Sequence, residues 1–141
     1  MTGKLEIVQS NIKNLFKNLN ENLKPECVIL YGSFARGDFN ERSDIDIIVI
    51  SSKLPKNFYE RLILLYELIE AKEAIDMFGY TPNEFTHMLE KRHCTSLFAM
   101  DEGVPLFGKN YFNDLKEIYN QITKKFQLTK TSSAWVPKLI D

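Results

Sequence analysis

The sequence predicts an α/β domain, a small mixed β-sheet flanked by helices, on three observations. Two short apolar runs rich in β-branched residues, Val28–Tyr31 and Ile45–Ile50, have the length and composition of buried strands. A third run, Ala74–Phe78, has the same character. Between and around them lie stretches whose apolar residues recur at steps of three and four, and strands alternating with helices indicate a sheet covered by helices. At 141 residues the chain suits one domain able to bury roughly two thirds of its unfolded surface.

The elements follow in order. Over Leu5–Leu23, Val8, Ile12, Leu15, Phe16 and Leu19 fall at helical spacing with Lys13, Asn14 and Lys17 between them, an amphipathic helix whose role is to cover the sheet. Lys24-Pro25-Glu26 ends it, because proline cannot continue a helix and biases the residue before it to extended backbone. The first strand begins at about Cys27. After the second strand, Ser51–Lys56 is a polar turn with Pro55 at a first helical position, and Phe58, Leu62, Leu65, Tyr66 and Ile69 mark a core-facing helix to about Glu70. The third strand then runs over Ala74–Phe78. Thr81-Pro82-Asn83-Glu84 is a capping box with proline at the first helical position, opening a helix to about Arg92. Thr95–Met100 forms a short helix closed by Gly103, and Val104–Phe107 a short strand. Phe112, Leu115, Ile118, Tyr119, Ile122 and Phe126 define a helix over Tyr111–Phe126. Leu128–Ser133 is polar and turn-like, and the end, carrying the single Trp135, either packs back or docks on a partner. The expected division is a domain over 1–126 and a tail over 127–141.

The chemistry lies between the first two strands. Gly32-Ser33 ends the first run with a pair small enough to let backbone approach a ligand. Asp44 and Asp46, two apart on the second strand, project side by side while Ile45, Ile47 and Val49 face the other way. Two carboxylates so close repel, which should raise at least one carboxyl pKa in the metal-free protein, and cations between them relieve the repulsion. Mg²⁺ takes one or two carboxylates and completes its shell with water and substrate phosphates, so the pattern points to a metal-phosphate site. Gly32 and Gly37 are spaced as in a P-loop, but Asp38 stands where the phosphate-binding lysine would be. A calcium loop fails too, since Ser43 replaces the required glycine and Val49 the closing glutamate. What remains is a strand, a tight turn and a short helix whose N–H groups can receive phosphate oxygens. Ser33 adds its hydroxyl to that cradle or caps the helix, and Arg36 reaches phosphate or pairs with Asp38. Asp76, in the middle of the third apolar run, is costly to bury unless paired or metal-bound.

Composition excludes other classes. Hydrophobic residues at 44% and charged residues at 26% are ordinary for a soluble domain. With 18 basic against 19 acidic residues, no global field advertises nucleic-acid binding. Cys27 and Cys94 are too few for a disulfide framework and lack metal-ligand spacing, and His87 and His93, six apart, do not share a helix face. No apolar run is long enough for a membrane span and none resembles a signal peptide, so the expected compartment is the cytoplasm.

Gly32-Ser33, ten residues, then Asp44-Ile45-Asp46 resembles the signature of the DNA polymerase β-type nucleotidyltransferase superfamily. The fuller string Gly32-Ser33-Phe34-Ala35-Arg36-Gly37 with Ser43-Asp44-Ile45-Asp46 resembles its smallest branch, the minimal nucleotidyltransferases (MNT), as does Asp101–Gly108. The resemblance implies the polymerase β-like fold, Asp76 as third catalytic carboxylate, and two Mg²⁺ ions (Mn²⁺ as alternative) held by Asp44, Asp46 and Asp76. It also implies ATP or another NTP held through Gly32, Ser33, Arg36 and Ser43. The implied reaction is transfer of AMP or another NMP to a hydroxyl. The implied partner is a toxin of the HEPN class (higher eukaryotes and prokaryotes nucleotide-binding), with this chain as antitoxin. The alternative is a catalytically inactive binding module that neutralises or scaffolds a partner by contact alone.

Overall fold

A computed structural model describes residues 13–40, 44–69, 75–132 and 134–137. Four strands, β1 (Cys27–Tyr31), β2 (Ile45–Ile50), β3 (Ile75–Tyr80) and β4 (Val104–Phe107), form one sheet in the order β3-β2-β1-β4. β1 pairs antiparallel with β2 and β4, whereas β2 pairs parallel with β3, so the sheet is mixed as the alternation predicts. The β2–β3 crossover is made by a helix, α3 (Phe58–Leu68), as a parallel connection requires.

Alternation along each strand builds two cores. One face presents Val28, Ile45, Ile47, Val49, Ile75 and Met77 to Leu15 and Leu19 of the first helix (α1, helical through residues 13–22), to Leu23 just after it, and to Leu65 and Leu68 of α3. The other presents Cys27, Ile29, Ile48 and Ile50 to α4 (Pro82–Glu90), α5 (Cys94–Glu102) and α6 (Lys109–Lys125), through Phe85, Leu89, Leu97, Phe112, Leu115 and Tyr119. Because β2 is covered on both faces, it reads as one continuous apolar run, broken only by Asp46. Strand β4 and helix α6 fall within a few residues of their predicted positions. The capping box of α4 is complete: the Thr81 hydroxyl accepts from the Glu84 amide at 3.3 Å and the Glu84 carboxylate accepts from the Thr81 amide at 2.7 Å.

Several expectations need correction. Of the α3 stripe expected to enter the core, Leu65 and Ile69 are buried, but Phe58, Leu62 and Tyr66 are exposed and Arg61 and Leu68 are buried beside them instead. Arg61 displaces the apolar stripe because its guanidinium finds a full set of acceptors: the Pro55 carbonyl at 2.8 and 3.0 Å, the Gly79 carbonyl at 3.2 Å and the Glu84 carboxylate at 2.7 and 3.3 Å. The helix starts later than Pro55 suggests, since Asn57 is the cap and accepts from the Glu60 amide. Gly103 does end α5, though with extended rather than left-handed backbone; a Cβ there would lie 2.0 Å from the Ala99 carbonyl oxygen. The stretch read as a polar turn holds β5 (Leu128–Lys130), paired antiparallel with β6 (Trp135–Pro137). The Trp135 ring meets Phe98 and Tyr119 edge-on at centroid distances of 5.9 and 5.7 Å, so the end of the described chain packs back. The first helix before residue 13, Ser43, Ala74 and the last residues of the tail lie outside the described residues. Among the described residues, no helix is long and apolar enough to cross a membrane.

Candidate active site

β1 ends at Tyr31, and the chain turns at Gly32 into α2 (Ser33–Arg36). Gly32 adopts φ 77° and ψ −157°, a region that is essentially reserved for glycine. A Cβ at this position would lie 2.3 Å from Oδ2 of Asp46. The glycine therefore does two things at once: it makes the turn, and it leaves room for a carboxylate pressed against the backbone. Gly32 itself caps α2 and no side chain bonds to the helix start, so Ser33 is the first helical residue rather than the cap. Of the two roles open to Ser33 in the sequence, capping is not the one its position serves.

The register sets the carboxylates in a row. Tyr31 is opposite Asp46 on β1–β2, and Asp46 is opposite Asp76 on β2–β3. Asp44 stands immediately before β2 and is exposed. Asp76 is exposed too, because β3 is an edge strand whose outward residues alternate with the buried Ile75, Met77 and Gly79. The premise that Asp76 is costly to bury therefore does not hold; the run is apolar only on its inner face. The Asp76 carboxyl is raised above the usual range by partial desolvation and then by Asp44, with which it shares a hydrogen bond. Desolvation also raises Asp46, followed by the charges of Asp76 and Asp44, with Arg36 acting in the opposite direction. The Tyr31 phenol is raised by burial and then by Asp46, Tyr80 and Asp76.

This donor set of hard carboxylate oxygens suits Mg²⁺ or Mn²⁺. Among the described residues, no group of three or more His, Cys, Asp or Glu side chains is placed to hold a metal ion by itself. Paired carboxylates on one side, with water and phosphate completing the shell, is how Mg²⁺ is ordinarily held. Gly32, Ser33, Arg36 and Asp46 line an open cavity of about 500 Å³ with Tyr31, Cys94, Thr95, Phe98, Glu102 and Ser132. Arg36 pairs with Asp38 at 3.1 Å and with Glu102 at 2.9 Å. Lys130 of the hairpin pairs with Asp101 at 2.6 Å, so two cations offset the acidic end of α5 that the helix dipole disfavours. Sequence reasoning singled out neither Phe98 nor Glu102 for this wall. The signal was faint, because α5 reaches the site only by packing on β1.

A sequence profile described as Polymerase beta, Nucleotidyltransferase matches residues 10–110. The chain belongs to the polymerase β nucleotidyltransferase family. MJ1215 of Methanocaldococcus jannaschii, provisionally named a protein adenylyltransferase, is 35% identical over 78 residues, covering 51% of this chain and 90% of MJ1215. MJ0141 of the same organism, named in the same way, is 40% identical over 53 residues, covering 36% of this chain; the chain spans about half of its length, 52%. A chain of a crystal structure of a toxin–antitoxin with AMP-PNP superposes with a TM-score of 0.58 at 21% identity, over 83% of this chain and 93% of that one. A chain from a complex of a tri-AMPylated Shewanella oneidensis HEPN toxin with its MNT antitoxin gives 0.54 at 21% identity, over 84% and 92%. At these identities the structural likeness establishes the fold: a polymerase β-like mixed sheet flanked by helices.

Proposed function

We propose that this protein transfers AMP, or another nucleoside monophosphate, from an NTP to a hydroxyl on a HEPN-type toxin, and so acts as its antitoxin. The observation that carries the reading is Asp46, packed on Gly32 and in register with Asp76, at the mouth of a cavity beginning at Ser33. The provisional names of the relatives and the toxin–antitoxin structures that share the fold point the same way. Two bound Mg²⁺ ions would supply activation of the attacking oxygen and neutralisation of the departing pyrophosphate. Asp44, Asp46 and Asp76 are the residues to hold them. The Ser33 hydroxyl and the amides of the turn after β1 would hold the β- and γ-phosphates, with Arg36 beside them and Ser43 a further candidate. Residues 1–126 form the transferase domain in this reading, 127–141 an appended tail, and the cytoplasm is the compartment.

Labelled ATP with Mg²⁺ and the partner should give a labelled partner, and Asp44→Asn with Asp46→Asn should abolish the label. Transfer that survives in the double variant overturns the ligand assignment. Protection of cells from the toxin by the double variant would replace the enzyme with a protein acting by contact alone.

A further inference from the structure

The outward face of α3 is apolar and exposed. Phe58, Tyr59, Ile63 and Tyr66 are 63%, 77%, 57% and 56% exposed, with Leu62 between them and Phe78 of β3 beside them. With roughly 150–250 Å² for a complete aromatic side chain, these fractions amount to on the order of 600 Å² of apolar surface, at the upper limit for a monomer and close to one side of a standard protein interface. A groove of about 650 Å³ runs between this face and the edge of β3, and Asp76 lies in its lining.

We propose that the outer face of α3, with the exposed edge of β3, is the docking surface for an amphipathic helix of the acceptor protein, apolar along its centre and basic along its flanks. The inference rests on the transferase reading above and adds where the acceptor sits. Three features select this occupant. Phe58, Leu62 and Tyr66 form a ridge at steps of four, the surface another helix packs against. Acidic side chains, Glu60 and Glu67 on α3 and Asp76 on β3, border the apolar surface, so a partner with basic flanks complements it. A second copy of this chain would bring the same acids against one another in a self-complementary contact, which disfavours a homodimer here. Asp76, in register with Asp46, lines the groove, so an occupant held in it has its hydroxyls near Asp76, on the side of Asp46 away from the Gly32-Ser33 turn.

The test uses the full chain in its host cells with Ile63 replaced by the photo-cross-linker p-benzoylphenylalanine. Irradiation should join it to the same protein that carries AMP, through a peptide with apolar and basic residues. Cross-linking to a second copy of this chain, or an AMP-labelled acceptor with no cross-link, overturns the docking surface and leaves the transferase reading standing. A cross-linked partner that never carries AMP overturns the transferase reading and, with it, the acceptor role of the occupant. In purified protein, Phe58→Ser with Tyr59→Ser should lower transfer to the partner by at least about tenfold, with the melting temperature and its rise on adding ATP and Mg²⁺ unchanged. Transfer at the wild-type rate in that variant overturns the proposal.

Discussion

Replacing Gly32 with alanine tests the central geometric claim, that one backbone position serves both the turn and the seat of Asp46. The position has φ 77° and ψ −157°, and a side chain held there costs about 1–3 kcal/mol in backbone strain alone. The new methyl would stand 2.3 Å from Asp46 Oδ2 and 3.2 Å from its carboxyl carbon. One of the two must move, and the side chain moves more easily than the strand. The stability loss corresponds to a melting temperature lower by about 3–10 °C for a chain of this size. The displaced carboxylate should also remove the metal response. Ligand binding only the folded state adds RT ln(1 + [L]/Kd), about 2.7 kcal/mol at a hundredfold excess, which wild type gains and the variant forfeits. Thermal melts in EDTA, then in Mg²⁺ with ATP, measure both terms. Gly37→Ala is the control: φ is 86° there too, but nothing lies within 4 Å of a Cβ, so it should lose about 1–2 kcal/mol and keep its ligand response. A Gly32→Ala protein that melts with wild type and still responds to Mg²⁺ would refute the reasoning.

Other outcomes follow from the charged groups. In wild-type protein, Mg²⁺ should raise the melting temperature relative to EDTA, with Mn²⁺ at least as effective, and Asp44→Asn with Asp46→Asn should erase the rise. Asp46 has a raised folded pKa, so its contribution to metal-free stability is present below about pH 3.8 and lost as pH rises through the folded value. Asp46→Asn should therefore flatten the decline of melts in EDTA as pH rises above about 4; an identical decline in both proteins would count against the carboxylate repulsion. Glu84 has the opposite sign: burial raises its pKa, but the hydrogen bonds from Arg61 and the Thr81 amide outweigh it and leave it lowered. Its stabilisation is present above about pH 4.5 and lost as pH falls through the lower folded value. Arg61→Met should cost on the order of 2 kcal/mol, since it leaves the Pro55 and Gly79 carbonyls without their donor, and should shrink the acid loss; an unchanged denaturant midpoint would show that the guanidinium is dispensable.

Much of the fold was legible because its signals are local. The two apolar runs around Gly32-Ser33 and Asp44-Ile45-Asp46 carry strand length in their own composition, and the Thr81–Glu84 box carries its helix start in four residues. The same locality made the family readable, since the motif sits in one turn and the head of one strand. The parallel register of β2 on β3 was not readable, and it is that register which brings Asp76 level with Asp46 from thirty positions away. Nor could periodicity show that, of the stripe it marks on α3, Leu65 and Ile69 are buried while Phe58, Leu62 and Tyr66 stay exposed. Two faces compete there, and the winner is the one whose Arg61 finds acceptors on Pro55, Gly79 and Glu84, none of them on the helix. Asp76 illustrates the same limit: a run can be apolar because one side of an edge strand is buried, and only sheet order shows that the other side is open. The sequence by itself determined most of the elements, though not the β5–β6 hairpin, and the Gly32-Ser33 turn between strand and short helix, because those depend on neighbours along the chain. Tertiary structure decided the row of carboxylates, the exposed ridge of α3 and the packing of Trp135, because each depends on partners the chain reaches only by folding.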